Sequence, residues 1–454
     1  MVVHFPRRGQ KSSLVKGKSL SKTFRPRIDF LEDRRMLAKV LLVDDDRSQF
    51  RNAAYTSIQE AVDAARAGDT IKVAPGTYAE GVMVNKKLTI QGALAPASRA
   101  ENPRYASIVD PPPTVGLATP GFNLLANDVV IQGFSIGDFD GDASPDVGGE
   151  GTLGIQTSPS FSGYKLLNNV IDSNAFGIYL NSSGGKPSTV SANTIRNNNE
   201  GLNVLPAAGN GIYSDQGARN ITISANNITD QSNAAIIFAG LVGTPQEKLT
   251  ISANQIGSAT RNDSGAEILL INVTNSTVKA NVLWNSNSHA IDLGGGSSRI
   301  TIQANVVNSP AFTGINLNTV YSTENFNNQI LSNIINAAGD SGIRLRAGTN
   351  GNTVKGNVVT GSQGDGSSDP GFGNGISVED SFNNKIESNT LKSNSFNGIF
   401  VDATSATNSL KSNVAILNGE FDYRDDSTGT GTAGTANTWS RNKGQRQNRP
   451  GLIS

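Results

Sequence analysis

Asp292, Asn316 and Arg344 are the middle residues of three short phrases, IDL, INL and IRL, spaced 24 and 28 residues apart. Two residues further on stand Gly294, Asn318 and Arg346, and the later phrases ISV and IFV add Ser377, Glu379, Phe400 and Asp402. In a strand, the middle residue of an Ile-x-Leu phrase and the residue two places on share the face opposite the aliphatic pair. If such strands stack about 4.8 Å apart, Asp292 and Arg344 lie roughly 10 Å apart with Asn316 between them. His289 enters the same run from its corner. The result is a polar strip of acid, amides, guanidiniums and acids, with Tyr179 and Tyr213 towards one end and Phe400 at the other. Proton transfer at a sugar carbon needs an acid or base beside it, and a cation to hold a uronate or steady an enolate. Arg344 or Arg346 would serve as the cation or base, with Asp292 or His289 as partner. Asn316, Asn318, Glu379, Asp402, Tyr179 and Tyr213 would bind the glycan. The same strip also reads as a surface that binds without turnover, or as a plain solvated face.

The chain DFDGDASPDVGG beginning at Asp138 offers a second chemistry. Asp138, Asp140, Asp142 and Asp146, with Ser144, place oxygen ligands at alternate positions, a spacing that suits calcium. The loop departs from the EF-hand pattern at Ala143 and Gly149, and an acidic solvated insertion fits equally well. Asp365 and Asp369 form a weaker version. Asp44, Asp45 and Asp46 read as an exposed turn.

The elements that would position these residues follow from a period. Asn169, Asn193, Asn226, Asn254, Asn281, Asn305, Asn333, Asn357, Asn389 and Asn413 each precede an apolar or β-branched pair, with gaps of 24 to 33 residues. Ile291, Ile315 and Ile343 each fall ten residues after their asparagine. Alternating runs of three to five residues, bounded by Asn, Ser, Gly and Asp, read as short strands and tight corners. Helical periodicity is absent from the repeats. Strands this short bury their faces only by stacking coil on coil, so the expected fold is an all-β parallel solenoid of roughly 12 coils. The asparagines then occupy one corner, where the residue type tolerates left-handed backbone and side-chain amides bond along the stack. The gaps lengthen only at 197–210, 240–247, 257–265, 321–328 and 361–374, as expected of loops leaving at corners.

Composition narrows the chemistry. The 454 residues carry 38 basic and 38 acidic side chains, which gives no footprint for nucleic acid. There is no cysteine, so disulfides, thiol catalysis and Cys-based metal sites are excluded. Two histidines and three methionines are too few for a copper centre or a multi-histidine site. No apolar run approaches membrane-spanning length. Residues 1–39 hold eleven Lys or Arg and read as a basic disordered or targeting segment. Within it, LEDRRMLA at 31–38 resembles the Leu-Glu-x-Arg-x-Leu-Leu element of planctomycete surface proteins, with Asp33 where proline is usual and Met36 before Leu37. The resemblance implies a secreted or cell-surface bacterial protein.

Residues 40–92 read as a cap and first coil. Ser57 and Glu60 suggest a capping box, and Ile58, Ala61, Val62 and Ala65 an apolar helix stripe laid over the open end of the stack. The segment TSIQEAVDAARAGDTIKVAPGTYAEGVMVNKKLTIQG at 56–92 closely resembles the start of the right-handed parallel β-helix superfamily of pectate lyases and pectin methylesterases. The repeats at 165–418 are similar to its NosD/CASH type. The resemblance implies a right-handed solenoid over 93–418, and a C-terminal cap covered by Trp439 with a loose tail over 419–454. The Asp-Pro-His phrase of alginate epimerases and the QD and DFIFG phrases of pectin methylesterases are missing, so no catalytic residue carries over. Three classes remain: a surface module binding glycan or building matrix, a polysaccharide lyase, epimerase or hydrolase, and a NosD-like accessory protein. The expected partner is a polysaccharide or cell-surface glycan, the expected cofactor calcium or none, and the expected state a monomer.

Overall fold

The computed structural model describes residues 38–93, 102–112, 119–139, 153–198, 208–241, 243–257, 266–320, 324–364 and 371–454. Among them, three parallel sheets run the length of a solenoid. Sheet A begins with Val40–Val43 and ends with Thr438–Ser440, sheet B runs from Gly76–Ala79 to Val414–Ile416, and sheet C from Val82–Val84 to Tyr423–Asp425. Sheets B and C hold 13 strands each, so the stack matches the coil number expected from the period. Each strand pairs in register with its equivalent one coil on, as in Ile291↔Ile315↔Ile343↔Ile376↔Ile399. Those isoleucines point inward and are fully buried. Like thus packs on like, and one aliphatic column per sheet forms a continuous core.

The asparagine column lies at the corner from sheet A to sheet B. Asn305 Oδ1 accepts both the backbone N–H and the Nδ2–H of Asn281, each at 3.0 Å. Asn305 Nδ2 donates onward to Asn333 Oδ1 and back to the Val278 carbonyl, again at 3.0 Å each. This unit repeats from Asn169 to Asn442. The left-handed backbone sits one residue earlier than expected, on Ala192, Ala225, Ala253, Ala280, Ala304, Ser332, Ser388 and Ser412. Small residues accept the positive φ there, while the asparagine keeps the geometry its amide ladder needs. Alanine at Asn305 strands two donors on Asn281 and a carbonyl on Val278. We expect urea denaturation to show a loss of about 3 kcal/mol, since each buried orphan costs about 1–3 kcal/mol.

Two further ladders flank the first at a fixed spacing of five residues, as in NTVKGN over 352–357 and NTLKSN over 389–394, a pattern in the sequence that the single expected column does not use. Asn328, Asn352, Asn384, Asn408 and Asn437 join at the corner from sheet C to sheet A. Asn174, Asn198 and Gln231, and later Asn394 and Asn418, join at the corner from B to C.

The N-terminal end is covered by the helix Ile58–Ala64, whose Ile58, Ala61 and Val62 are fully buried. Ser57 Oγ accepts the Glu60 N–H, but the other half of the expected capping box comes from elsewhere. Glu80 accepts from Ser57 Oγ, Ile58 N–H and Gln59 N–H at 2.7, 2.7 and 2.9 Å, so a carboxylate from the first coil satisfies the helix start. A further strand, Val40–Val43, pairs with Thr70–Val73 beneath this cap. At the other end, Trp439 stands in register with Leu410 and packs edge-on to Tyr423 at 5.6 Å. The tail folds back and does not hang loose. Asn442 continues the ladder, Leu452 is fully buried, and Ser454 N–H reaches the Asn442 carbonyl.

The five lengthened gaps within the repeats fall at two corners, while residues 92–106 near the start separate sheet A from sheet B. Residues 197–210, 257–265 and 361–374 leave between sheets B and C, and 240–247 and 321–328 between C and A. Sheet C is therefore the face flanked by insertions on both sides.

Glu267 breaks the inward pattern. Register places it level with Ala235 and Ala290, both buried in the core. The equivalent Gly211 and Gly314 would direct a Cβ against Ile228 and Ile335 of sheet B. Its carboxyl is buried, Oε1 has no partner, and burial with nearby Asp230 pushes its pKa to about 8. Between the ordinary carboxylate value of 4.5 and about 8, the folded chain keeps a proton that the unfolded chain releases. Stability therefore falls as pH rises through that window, by up to ~1.4 kcal/mol per pH unit. Glu267→Gln removes this term. Its urea midpoint is expected to exceed that of the parent at pH 8.5 and to match it near pH 4.

Candidate functional site on the outer face of sheet C

The outward column of sheet C runs Tyr179, Tyr213, Ile237, Leu269, Asp292, Asn316, Arg344, Ser377 and Phe400, each in register with the next. Asp292 is half-buried. Its Oδ1 accepts Nδ2–H from Asn316 at 3.0 Å and from Asn318 at 2.7 Å. Both donors use one oxygen, so the proton of the neutral acid resides on Oδ2. Burial pushes the Asp292 pKa to about 7, against the opposing pull of the two amides and of Arg346. Asp292 is thereby poised to give or take a proton near neutral pH.

His289 lies three residues earlier, at the corner before the strand. Its Nδ1 accepts the Thr313 backbone N–H at 3.2 Å, which puts the ring hydrogen on Nε2. Burial, together with Arg346 and Arg344, lowers its pKa to about 4, so the imidazole is neutral at pH 7. Phe312 packs beside it at 5.9 Å.

The two arginines differ. Arg344 is buried and fully engaged: Nε and Nη2 grip Glu379 at 2.8 and 2.9 Å, and Nη1 holds Asp340 at 2.8 Å. Its guanidinium also lies 4.8 Å from the centre of the Phe372 ring. Thr313 Oγ1 donates to Asp340 and Ser377 Oγ to Glu379, which ties the network to its neighbours. Arg344 is thus a clamp, contrary to the expectation that it is available as a cation or base. Arg346 is exposed and makes no ion pair among the described residues, yet its charge reaches both Asp292 and His289.

The remaining expected residues separate. Asn316 and Asn318 join Asp292, and Glu379 joins Arg344. Asp402 accepts from Thr404 and Ser405 at its own corner and from the Asp380 N–H of the preceding coil. Tyr179 and Tyr213 form a stacked pair, ring centres 5.8 Å apart, three coils and more from Asp292. Asp340 and Thr313, absent from the sequence-derived set, belong to the network. Their strand-entry positions follow no repeated phrase.

The expected calcium loop divides. Asp140, Asp142 and Asp146, like Asp365 and Asp369, lie outside the described residues. Asp138 lines a hollow of about 470 Å3 on sheet B with Asp110 and Asp172, and burial plus Asp138 raises the Asp110 pKa to about 6. The carboxylates of Asp44, Asp45 and Asp46 lie within 4.8 Å of one another and can offer oxygen ligands to a divalent cation. Contrary to expectation, Asp44 is buried, with Oδ2 taking the backbone N–H groups of Gln49 and Phe50, so only part of this turn is exposed.

Residues 266–443 match the family model described as a right handed beta helix region. The fold is a right-handed parallel β-helix. A search of curated proteins finds no match. Among solved structures, the chain is similar to DFA-IIIase from Arthrobacter chlorophenolicus A6, with a TM-score of 0.49 and 15% identity over 81% of this chain and 93% of that one. It is similar to pectate lyase Pel9A at a TM-score of 0.42 and 15% identity, over 66% of this chain and 75% of that one. The periplasmic alginate epimerase AlgG gives 0.38 and 14% identity, over 83% and 77%. At these identities the likeness concerns the fold alone. No helix among the described residues is long and apolar enough to cross a membrane.

Proposed function

We propose that this β-helix processes a uronate-bearing polysaccharide on the outer face of sheet C, by removing the proton next to the sugar carboxylate, as a lyase or an epimerase does. The observation that carries this reading is Asp292. It is a carboxyl with a pKa near 7 and an unencumbered Oδ2, within the field of the exposed Arg346 guanidinium, which makes no ion pair among the described residues. Arg346 would receive the substrate carboxylate and offset charge as the enolate forms. Ionised Asp292 would take the carbon-bound proton, while Asn316 and Asn318 hold its other oxygen. Neutral His289 would offer its Nε2–H as a hydrogen bond to the departing oxygen, and the proton gained by Asp292 would pass to that oxygen as the bond to carbon breaks. Hydrolysis by two carboxylates is less well served, since it needs a second free acid and both Asp340 and Glu379 are taken by Arg344.

The test is incubation of the full chain with polygalacturonate, alginate and glucuronate-containing chains, following the ultraviolet absorbance of unsaturated uronate products and the epimer ratio by NMR. Product formation is expected to rise with pH through about 7, as Asp292 ionises. Tight binding with neither product nor epimer would instead establish the second reading, a glycan-binding surface module. The tyrosine pair remote from Asp292 favours that reading. A secreted or cell-surface location rests on the 31–38 resemblance, and the NosD/CASH assignment on the repeats at 165–418. A calcium ion, if used, is best served by the Asp44–Asp46 turn.

A further inference from the structure

A hollow of about 420 Å3 opens at the corner from sheet C to sheet A, beside the stacked tyrosines. It is lined in part by Ser183, Asp215, Gln216, Arg219, Gln246 and Glu247. Its volume falls within the ~300–1,000 Å3 typical of small-ligand sites. Asp215 joins it to the tyrosines, accepting the Tyr179 hydroxyl at 2.6 Å and the Tyr213 hydroxyl at 3.3 Å. Gln216 Nε2 donates to the Tyr179 hydroxyl at 2.6 Å. The two rings are 26° from parallel and pack on Phe176.

The charges in this hollow are already matched. Arg219 pairs with Glu247 at 2.8 Å, and Asp215 is occupied by two phenols. An anionic ligand finds no unpaired cation here, unlike at Arg346. What the lining does hold in reserve is a neutral acceptor just beneath its surface. Gln246 is 1% exposed, and its Nε2 donates to the Ser214 carbonyl at 3.2 Å. Its Oε1 has no partner among the described residues. A buried amide oxygen without a donor costs about 1–3 kcal/mol, and since water does not reach this oxygen a ligand hydroxyl relieves that cost only as the amide turns towards the hollow. The tyrosine rings add flat apolar area with polar tips, a surface suited to a sugar ring.

We infer that this hollow, together with the Tyr179–Tyr213 pair, is a separate subsite for a neutral sugar unit. Tyr213 and Asp292 are three coils apart in the same column, roughly 14 Å at the inter-strand spacing. Ile237 and Leu269 occupy the interval. The substrate thus implied is a mixed chain, with an anionic unit at Asp292 and Arg346 and a neutral unit near Asp215. The chain's composition rests on the function proposed above, whereas binding in the hollow is separable from turnover.

Calorimetric titration of the full chain with cellotriose, mannotriose and xylotriose, and with trigalacturonate, tests the assignment. At least one neutral trisaccharide is expected to bind, with affinity reduced at least tenfold by Gln246→Leu or by Gln216→Ala. Gln216 is exposed, so its variant decides the matter if Gln246→Leu does not fold. Asp292→Asn should leave neutral-sugar binding unchanged. No neutral binding, unchanged affinity in both variants, or loss of trigalacturonate binding alone in those variants would each overturn the subsite. Neutral binding without turnover would refute the lyase reading and leave the subsite standing; turnover without neutral binding would do the reverse.

Discussion

Asp292→Asn is expected to lower product formation by about 100- to 10,000-fold, the usual contribution of a positioned acid or base. Asparagine keeps the size of the side chain, and its carbonyl oxygen can still accept from Asn316 and Asn318. The fold and substrate binding should therefore persist, with the loss confined to kcat. The pH dependence is the sharper measure. The rise through about pH 7 in the parent should vanish in the variant, because the titrating group is gone. Residual activity with the same rise would assign the limb to another group and remove Asp292 from the chemistry. Arg346→Ala offers a complementary signature, a raised KM for charged chains, since its guanidinium acts on Asp292 and makes no ion pair among the described residues.

Arg344→Ala is expected to cost about 3–5 kcal/mol, the range for removing one partner of a buried ion pair. Side-chain exposures of 10% for Arg344, 5% for Asp340 and 21% for Glu379 show how little water reaches the cluster. Without the guanidinium, two carboxylates face each other across adjacent coils, and Phe372 loses the cation above its ring. Urea denaturation measures the loss. Adding Asp340→Asn and Glu379→Gln to Arg344→Met should recover much of it, because no charge is then left buried without a counterion. A neutral outcome for Arg344→Ala would mean that solvent already screens the cluster. The variant should also perturb Asp292 only indirectly, which separates a clamp from a group that touches substrate.

Much of the architecture was legible along the chain. A repeated Asn at 24 to 33 residues can be satisfied only if coils stack, and three-residue aliphatic phrases can be buried only as parallel strands. Because side chains alternate along a strand, the phrase IDL also dictates that Asp292 faces out, and the repeat sets Asn316 and Arg344 beside it. The turn before each Asn was misplaced by one residue, since sequence shows which residue type a corner needs but not which position takes the positive φ. Glu267 is likewise unmarked by the sequence pattern. Simple alternation puts it outside with Leu269, whereas the chain bends before the strand and turns it into the core.

What the sequence determined by itself was the period, the stack and the identity of the outward column, because these depend on contacts between equivalent positions. The tertiary structure alone decided which charges are free. Arg344 and Arg346 are two residues apart on one face, but Glu379 from the next coil and Asp340 from its own corner close on Arg344 and leave Arg346 open. Pairing and burial depend on distances between side chains on different coils and loops, and a one-dimensional spacing does not contain them.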